Sequence, residues 1–458
     1  MIERPGSGPE EASAPEPGGS ALAHDGYPSP ASAWWTVAVL TLLYSISLMD
    51  RQIIALLVGD IRKSLGISDF GIGLLQGLAF SLFYVTFGLG FGWAADRFPR
   101  RSIIVIGVVI WSCAAAACGL ARNFPQFLMA RFGVGAGEAA LNPAAYSLLS
   151  DTFPKHKQAT AFSVFGSGSQ IGSGLSFAVG GALLALVPTA GWTVPVVGHL
   201  EPWQLVFILT GLPGLIVVWL VYTIANPVRR GVIGQGHSNF TDALRFMKTR
   251  WRFYAGHFLA FGLLAASAYG YTAWSPTYVH RHFGLPMQEA AMLFAIQNLT
   301  VGVAGTLFAG AFVDRLFARG RTDVHLLYFG GVAVVGSLAM LAAINSPTLI
   351  GCMVFLSVFN FLNSFGGVAA AALQITTPNN YRGQVSSVFL FFFNLLGIGI
   401  GPTLVGAFTT YLYRDDGMVG WAMATNCLVM MPVIVGAVLI AARPMRLAVD
   451  DAEIWADC

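Results

Sequence analysis

The sequence predicts an all-α, polytopic membrane protein of twelve transmembrane helices in two pseudo-symmetric six-helix bundles. Three observations predict it. The 458 residues are 55% hydrophobic and only 10% charged, whereas a soluble domain carries about 25% charged residues. That leaves too little polar surface to wet a globule of this size. Apolar runs of the roughly 20 residues needed to cross a bilayer occur twelve times. A charged motif after the second run also returns after the eighth, six helices later.

The elements follow in order. Residues 1–32 are rich in Pro, Gly, Ser, Ala and Glu. They lack the basic and apolar regions of a signal peptide and read as a disordered cytoplasmic tail. The N-terminal bundle, 33–225, holds runs near 33–59, 69–95, 102–121, 124–150, 157–187 and 203–225. A cytoplasmic linker, 226–251, contains SNFTDALRFMKTRW, in which Ser238 can cap a short interfacial helix. Leu244, Phe246, Met247 and Trp251 would then face the lipid surface. The C-terminal bundle, 252–442, holds runs near 252–280, 288–314, 325–344, 347–376, 383–411 and 418–442. A cytoplasmic tail, 443–458, follows.

Orientation comes from Lys and Arg, which concentrate in cytoplasmic loops. With both termini inside, the outer loops hold only Arg62, Lys63, Arg122, Arg281 and Arg414. Every inner loop is richer. Such a chain is expected in a cell's inner (plasma) membrane.

The repeated motif is GWAADRFPRR (92–101) and GAFVDRLFARGR (310–321). In each, Gly is followed four residues later by Asp-Arg. A second echo pairs SDTFPKHKQA after the fourth run with ITTPNNYRGQV after the tenth. Repeats six helices apart make the halves parallel duplicates. Asp96 and Asp314 fall at helix C-termini, where the dipole disfavours an anion. Each therefore calls for a cationic or amide partner on a neighbouring helix, a contact that could latch the halves in one state. Asp96, Arg97, Arg101, Asp314 and Arg315 are the candidate gating residues. Arg100 reads equally well as a topology determinant, so its removal alone should matter little.

Well inside the spans, the strong charges are Asp50, Arg51, Arg131 and Glu138. On insertion scales each costs about 2.5–3.5 kcal/mol at the bilayer centre. They sum to zero, which suggests pairing of Asp50 with Arg131 and of Glu138 with Arg51. Burial favours a neutral acid and a nearby cation favours its anion, so a carboxylate that gains and loses a cation can couple protons to conformation. Asp50 is the first candidate for the protonatable group and Glu138 the second. The second half answers with neutral polar residues. Tyr44, Tyr84, Asn142, Tyr269, Gln297, Asn298, Asn360 and Asn394 are candidate cavity residues, with many phenylalanines near them. The glycine runs GSGSQIGSG (166–174) and GIGIGP (397–402) suit close packing between the halves. They are not phosphate loops, since no strand precedes and no Lys follows them.

Other classes find little support. No HExxH and no acids at metal spacing occur, and the histidines are scattered, mostly at helix ends, so neither an enzyme nor a receptor is expected, nor any cofactor or metal. The cysteines Cys113, Cys118, Cys352, Cys427 and Cys458 form no CxxC pair and read as small core residues. No basic block with interleaved aromatics points to nucleic acid.

The stretches MDRQIIALL, GISDFGIGLLQG, GWAADRFPRR, RFGVGAGEAALNPAAYSLLSDTFP and GSGSQIGSGLSFAVGG together resemble the Spinster family of the major facilitator superfamily. The likeness covers the first half well; in the second only the loop motif and TPNNYRGQ are distinctive. It implies the major facilitator fold and alternating-access secondary transport. For animal members it implies proton-linked or facilitated movement of lysolipids such as sphingosine-1-phosphate or lysophospholipids. It carries over to Asp50, Arg51, Arg131, Glu138, Asp96, Arg97 and Arg101. The expected partners are therefore an amphipathic small molecule, protons and the lipid bilayer, with the chain a monomer. A proton-coupled organic-anion symporter of the hexuronate kind is the alternative. It should place several cations or amides at mid-membrane, whereas a lysolipid site should be elongated, apolar along one wall and laterally open. Helices 7 to 12 carry no mid-membrane cation, which favours the amphiphile.

Overall fold

The computed structural model describes residues 27–456, except 196, 228–239, 364 and 379–380. Among them, ten helical rods are long and apolar enough to cross a membrane: Pro30–Leu65, Asp69–Ala95, Arg100–Cys118, Thr160–Leu186, Pro202–Tyr222, Met287–Phe317, Val324–Ile344, Leu349–Thr376, Arg382–Tyr413 and Asp416–Val449. Two more complete the twelve. The fourth span is split into Phe124–Glu138 and Leu141–Thr152. The seventh, Trp251–Phe283, is diluted by Arg252, His257, His280, Arg281 and His282. The spans are numbered 1 to 12 in chain order. The end that carries the loop after Arg97 is called the near end and the opposite one the far end.

Local chemistry explains where rods start and break. Ser29 and Pro30 open span 1, the Ser29 side chain accepting from the Ser32 amide. Span 1 breaks at Ile53, between Pro30–Gln52 and Ile54–Leu65. Ser68 caps span 2 through the Gly71 amide, and Gly77 divides it into Asp69–Gln76 and Leu78–Arg97. Asn123 caps span 4 through the Gln126 amide. In the second bundle the irregularities are π-helical turns, Asn298–Gly302 in span 8 and Leu395–Ile400 and Phe408–Tyr413 in span 11. Such turns recur at functional sites.

The two bundles meet closely from mid-depth to the far end. Spans 2 and 11 cross there on glycine. A Cβ at Gly73 would lie 2.7 Å from the Pro402 carbonyl oxygen, and one at Gly77 would lie 2.5 Å from Thr403 Oγ1. Spans 5 and 8 touch through Gly174 against Leu299 and Gly181 against Ala291. The glycine runs thus serve both kinds of contact: Gly168 and Gly172 admit span 1 of their own half, and Gly399 admits Ser81 of the other.

Several expectations need correction. Span 1 begins at Pro30, three residues before the approximate limit read from the sequence. The last helix runs unbroken from Val419 to Ala456, so most of the expected tail after 443 is helical. The linker helix is Phe240–Thr249; Ser238 lies outside the described residues. Its Met247 is buried against the second bundle and Phe246 stacks on Tyr381, with centroids 5.3 Å apart, so only Leu244 and the following Trp251 point outward. A small far-end hairpin, Trp192–Val194 with Gly198–Leu200, was not foreseen. Arg122 clasps it through the His199 and Val197 carbonyls at 2.6 and 3.1 Å.

Candidate functional site

Four charges sit beside the helix breaks of the first bundle. Asp50 and Arg51 occupy the last turn before the break in span 1, and Glu138 ends the first helix of span 4. Of the two ion pairs expected, one is present. Arg51 Nη2 and Nε donate to Glu138 Oε2 at 2.6 and 3.2 Å. Ser47 Oγ donates to the same oxygen at 2.7 Å. Glu138 Oε1 is buried and has no partner among the described residues.

The second expected pair is not made. Asp50 is 1% exposed, and neither of its carboxylate oxygens has a partner among the described residues. Arg131 is fully buried and points instead at the backbone, its Nε donating to the Leu75 carbonyl at 3.1 Å. The physical reason is the Gly77 break. Leu75 lies in the last turn of a short helix, where carbonyls lack intrahelical partners and a cation is welcome. The Phe80 ring lies against both cations, 4.3 Å from the Arg51 guanidinium and 5.4 Å from that of Arg131, a contact that favours desolvated guanidinium groups.

Around Arg51 the wall is aromatic and amide. Its guanidinium is 5.1 Å from the Tyr84 ring centre, and Asn142 Nδ2 donates to Tyr84 OH at 3.0 Å. Tyr44 stacks on Phe165 with centroids 5.1 Å apart. Tyr44, Tyr84 and, from the opposite bundle, Tyr269 are all in electrostatic reach of Arg51. All three rings are half-buried. They make a midplane wall shared by spans 1, 2 and 7.

The remaining cavity candidates divide in two. Tyr271 OH donates to Gln297 Oε1, and Gln297 Nε2 donates to Ser357 Oγ at 3.0 Å, a buried chain from span 7 through span 8 to span 10. Asn360 Nδ2 donates to Asn298 Oδ1 at 3.3 Å, beside Gly302 in the π-helical stretch of span 8 and Gln170 of span 5. Asn394 instead spends its amide on the Leu390 carbonyl of its own helix, at 2.8 Å. Beside Ser357, spans 8 and 10 border an open apolar groove of about 600 Å³ lined by Leu293, Val301, Met353, Phe361 and the exposed Val354 and Val358 among others.

The gating candidates are dispersed. The side chain of Asp96 lies outside the described residues. Arg97 is exposed, its guanidinium 4.3 Å over the Trp93 ring. Arg101 donates to the Ile224 carbonyl of span 6. Asp314 and Arg315 are exposed and form no ion pair among the described residues. Arg100, read as expendable, is the buried one: with Asp151 it forms an ion pair whose side chains are 6% and 7% exposed. Asp323 and Arg446 form a similar tie between spans 9 and 12.

A lock that the sequence did not reveal stands at the far end. Asp69 is fully buried and receives Arg281 Nη1 and Nη2 at 2.7 and 2.9 Å and Arg62 Nε at 3.2 Å. Arg62 also reaches Asp416 at 2.8 Å. Arg62 and Asp69 belong to one bundle, Arg281 and Asp416 to the other. The Ser68-Asp69 helix start was the available signal, since an acid at a helix N-terminus in a loop with few cations invites an arginine.

Comparisons with known proteins agree with this geometry. Residues 40–402 match the family model of the Major Facilitator Superfamily. An MFS-type efflux pump of Mycolicibacterium smegmatis is 25% identical over 93% of this chain and 96% of its own length. Protein spinster of Drosophila melanogaster is 25% identical over 84% of this chain, which spans 63% of that protein. The crystal structure of a bacterial homologue of the human lysosomal transporter Spinster, inward-facing and unoccupied, superposes with a TM-score of 0.77 at 25% identity, covering 92% of this chain and 98% of that one. With twelve spans, duplicated halves and a charged pair buried at mid-depth, the chain belongs to the Major Facilitator Superfamily as a Spinster-like transporter.

Proposed function

We propose that the protein is a proton-linked carrier of an amphipathic, lipid-like molecule of the lysolipid or sphingolipid class, working by alternating access in a cell's inner membrane with both termini cytoplasmic. The observation that carries the proton link is Asp50, buried without a partner one residue from the paired Arg51. An ionised carboxylate left alone away from water costs several kcal/mol, and taking up a proton removes that cost. Asp50 therefore holds a proton in this conformer and releases it in the one that brings Arg131 within reach. Glu138, held by Arg51 and Ser47, orients the pair and is the second proton site.

The wall chemistry supports an amphiphile. Arg51 and the three tyrosines offer one charged, hydrogen-bonding patch for a headgroup. The open groove of about 600 Å³ between spans 8 and 10 offers an apolar surface, laterally open, along which an acyl chain can lie. A sugar acid would need more polar groups than these, because the amides of Gln297, Asn298 and Asn360 are already engaged. Asp96 and Asp314 act as latch residues in the state closed at the near end.

The test is transport in proteoliposomes carrying an imposed pH gradient, with a lysophospholipid, a sphingoid phosphate and a hexuronate as substrates. The lipids are expected to move, faster with the gradient, and Asp50→Asn is expected to lose that acceleration while still inserting and folding. Uptake of the hexuronate alone would overturn the substrate reading. A full pH-gradient response in Asp50→Asn would overturn the proton reading.

A further inference from the structure

The linker helix that leads into span 7 has three different sides. One is fixed to the second bundle. Ala243 and Met247, one turn apart, are buried. Phe246 stacks on Tyr381 with centroids 5.3 Å apart and meets Tyr254 edge-on at 6.1 Å. Tyr254 OH and Thr377 Oγ1 share a hydrogen bond of 3.0 Å, and Tyr381 precedes the helix that opens span 11 at Arg382. Rolling the linker helix would break these contacts, so its other two sides have a set direction.

The second side is apolar and uncovered. Phe240 joins Leu244 one turn on, and Trp251 follows at the start of span 7; they are 53%, 44% and 58% exposed. The third side is basic. Arg245 and Lys248 share a face and are exposed, and Arg252 is exposed just past the bend at Arg250. Around the helix, Met247 stands about 60° to one side of Leu244, while Lys248 and Arg245 stand about 40° and 100° to the other. Residues 240–252 contain one acid, Asp242. Its pair with Arg245, 3.2 Å long, joins side chains 41% and 77% exposed. Such a surface pair is weak and yields to a better partner.

When the apolar stripe of a surface helix enters the acyl boundary, a basic stripe beside it lies at the depth of the phosphates. Span 7 sets that depth here, because Trp251 begins it, and the Arg252 guanidinium lies 5.8 Å from the Trp251 ring centre, cation and interfacial aromatic at one level. A soluble anion would leave Phe240 and Leu244 in water. A neutral headgroup would leave three cations without a counter-charge. We propose that Arg245, Lys248 and Arg252, beside Phe240, Leu244 and Trp251, form a docking site for an anionic phospholipid of the near-side leaflet. The phosphate oxygens accept from the three basic side chains, and the acyl chains cover the three apolar ones. Through the Phe246–Tyr381 stack, the bound lipid holds the near end of span 11 at the membrane surface. The site is separate from the midplane wall and does not depend on what the protein carries.

The test reads backbone hydrogen exchange of residues 240–252 in lipid nanodiscs. Wild type is expected to exchange more slowly in discs rich in phosphatidylglycerol than in discs of phosphatidylcholine alone, by about fivefold for each basic residue engaged. Arg245→Gln, Lys248→Gln and Arg252→Gln together should erase the difference and leave exchange in span 9 unchanged. Equal exchange of the wild type in the two lipids overturns the site, whatever the variants do. A difference that survives the triple substitution overturns its assignment to these residues. If inorganic phosphate slows exchange as much in phosphatidylcholine discs, a free anion suffices and the lipid is overturned as the occupant.

Discussion

The far-end lock gives the sharpest quantitative expectation. Asp69→Asn keeps the shape of the side chain and removes its charge. Asp69 is fully buried between Arg62 and Arg281, whose side chains are 21% and 15% exposed. Removing one partner of a buried pair costs about 3–5 kcal/mol. The partial exposure of both arginines lets water return to them once freed, and asparagine still accepts a hydrogen bond. We therefore assign about 2 kcal/mol to the closed far end. The lost contacts with Arg281 cross the bundle interface, so the loss falls on the balance between closed and open far ends. At about 1.4 kcal/mol per factor of ten, the open population rises roughly thirtyfold.

Hydrogen exchange of backbone amides measures that population, because exchange of a transiently opened segment scales with how often it opens. The peptides covering the start of span 2 and the end of span 11 should exchange roughly thirtyfold faster in Asp69→Asn. Spans 3, 6 and 9, away from the interface, should be unchanged. Arg281→Gln should act in the same direction, and the double variant should add little, since the two side chains share one interaction. Unchanged exchange at spans 2 and 11 would refute the lock. Faster exchange everywhere would show a loss of folding instead, and would refute the claim that these contacts act on the opening step.

Other expectations follow from single contacts. Ser47→Ala deletes a hydroxyl bonded to Glu138 Oε2; it should cost about 1 kcal/mol of stability and slow transport with little effect on expression, read by melting and by vesicle uptake. Arg100→Ala takes the guanidinium away from the buried Asp151 carboxylate, so it should destabilise by about 3–5 kcal/mol in a denaturation assay, whereas Arg97→Ala, at an exposed site, should fall within about 0.5 kcal/mol. Gly73→Ala places a methyl 2.7 Å from the Pro402 carbonyl oxygen; it should disfavour the far-end-closed state by about 1–3 kcal/mol, seen as faster hydrogen exchange in span 11.

What could be read from the sequence was what hydrophobicity and charge encode one residue at a time. Span positions were legible because a bilayer demands length and apolarity together. The buried charges were legible because they are expensive, and an expense of that size at mid-span marks function. The pairing of Arg51 with Glu138 followed from charge balance. The separation of Asp50 from Arg131 did not, because it depends on a backbone carbonyl exposed by the break at Gly77, which sequence shows only as one glycine among 53. The far-end lock was illegible for a related reason. Arg62 and Arg281 lie far apart in the chain, look like ordinary loop cations, and acquire meaning only when spans 1, 2, 7 and 12 end at one place. Arg100 was undervalued because its partner, Asp151, is contributed by another span.

The helix breaks explain why the charges can work at all. An unbroken helix presents no backbone polar groups at mid-membrane, since each is used within the helix. Spans 1, 2 and 4 are each interrupted within a few residues of Asp50, Leu75 and Glu138. Interruption releases carbonyls and amides just where a cation needs somewhere to rest when it is not paired. In the second bundle the irregular turn at Asn298 and the short helix between two such turns at Thr403 bring an amide and a hydroxyl, without charge. One half therefore holds the buried charges, while the other supplies neutral polar surfaces. Arg131 takes one such place, the Leu75 carbonyl, and under the proposed proton link the Asp50 carboxylate is the other. If both resting places lay on continuous helices, Arg131 would have Asp50 alone to bind, the pair would be permanent, and the charges would only add stability.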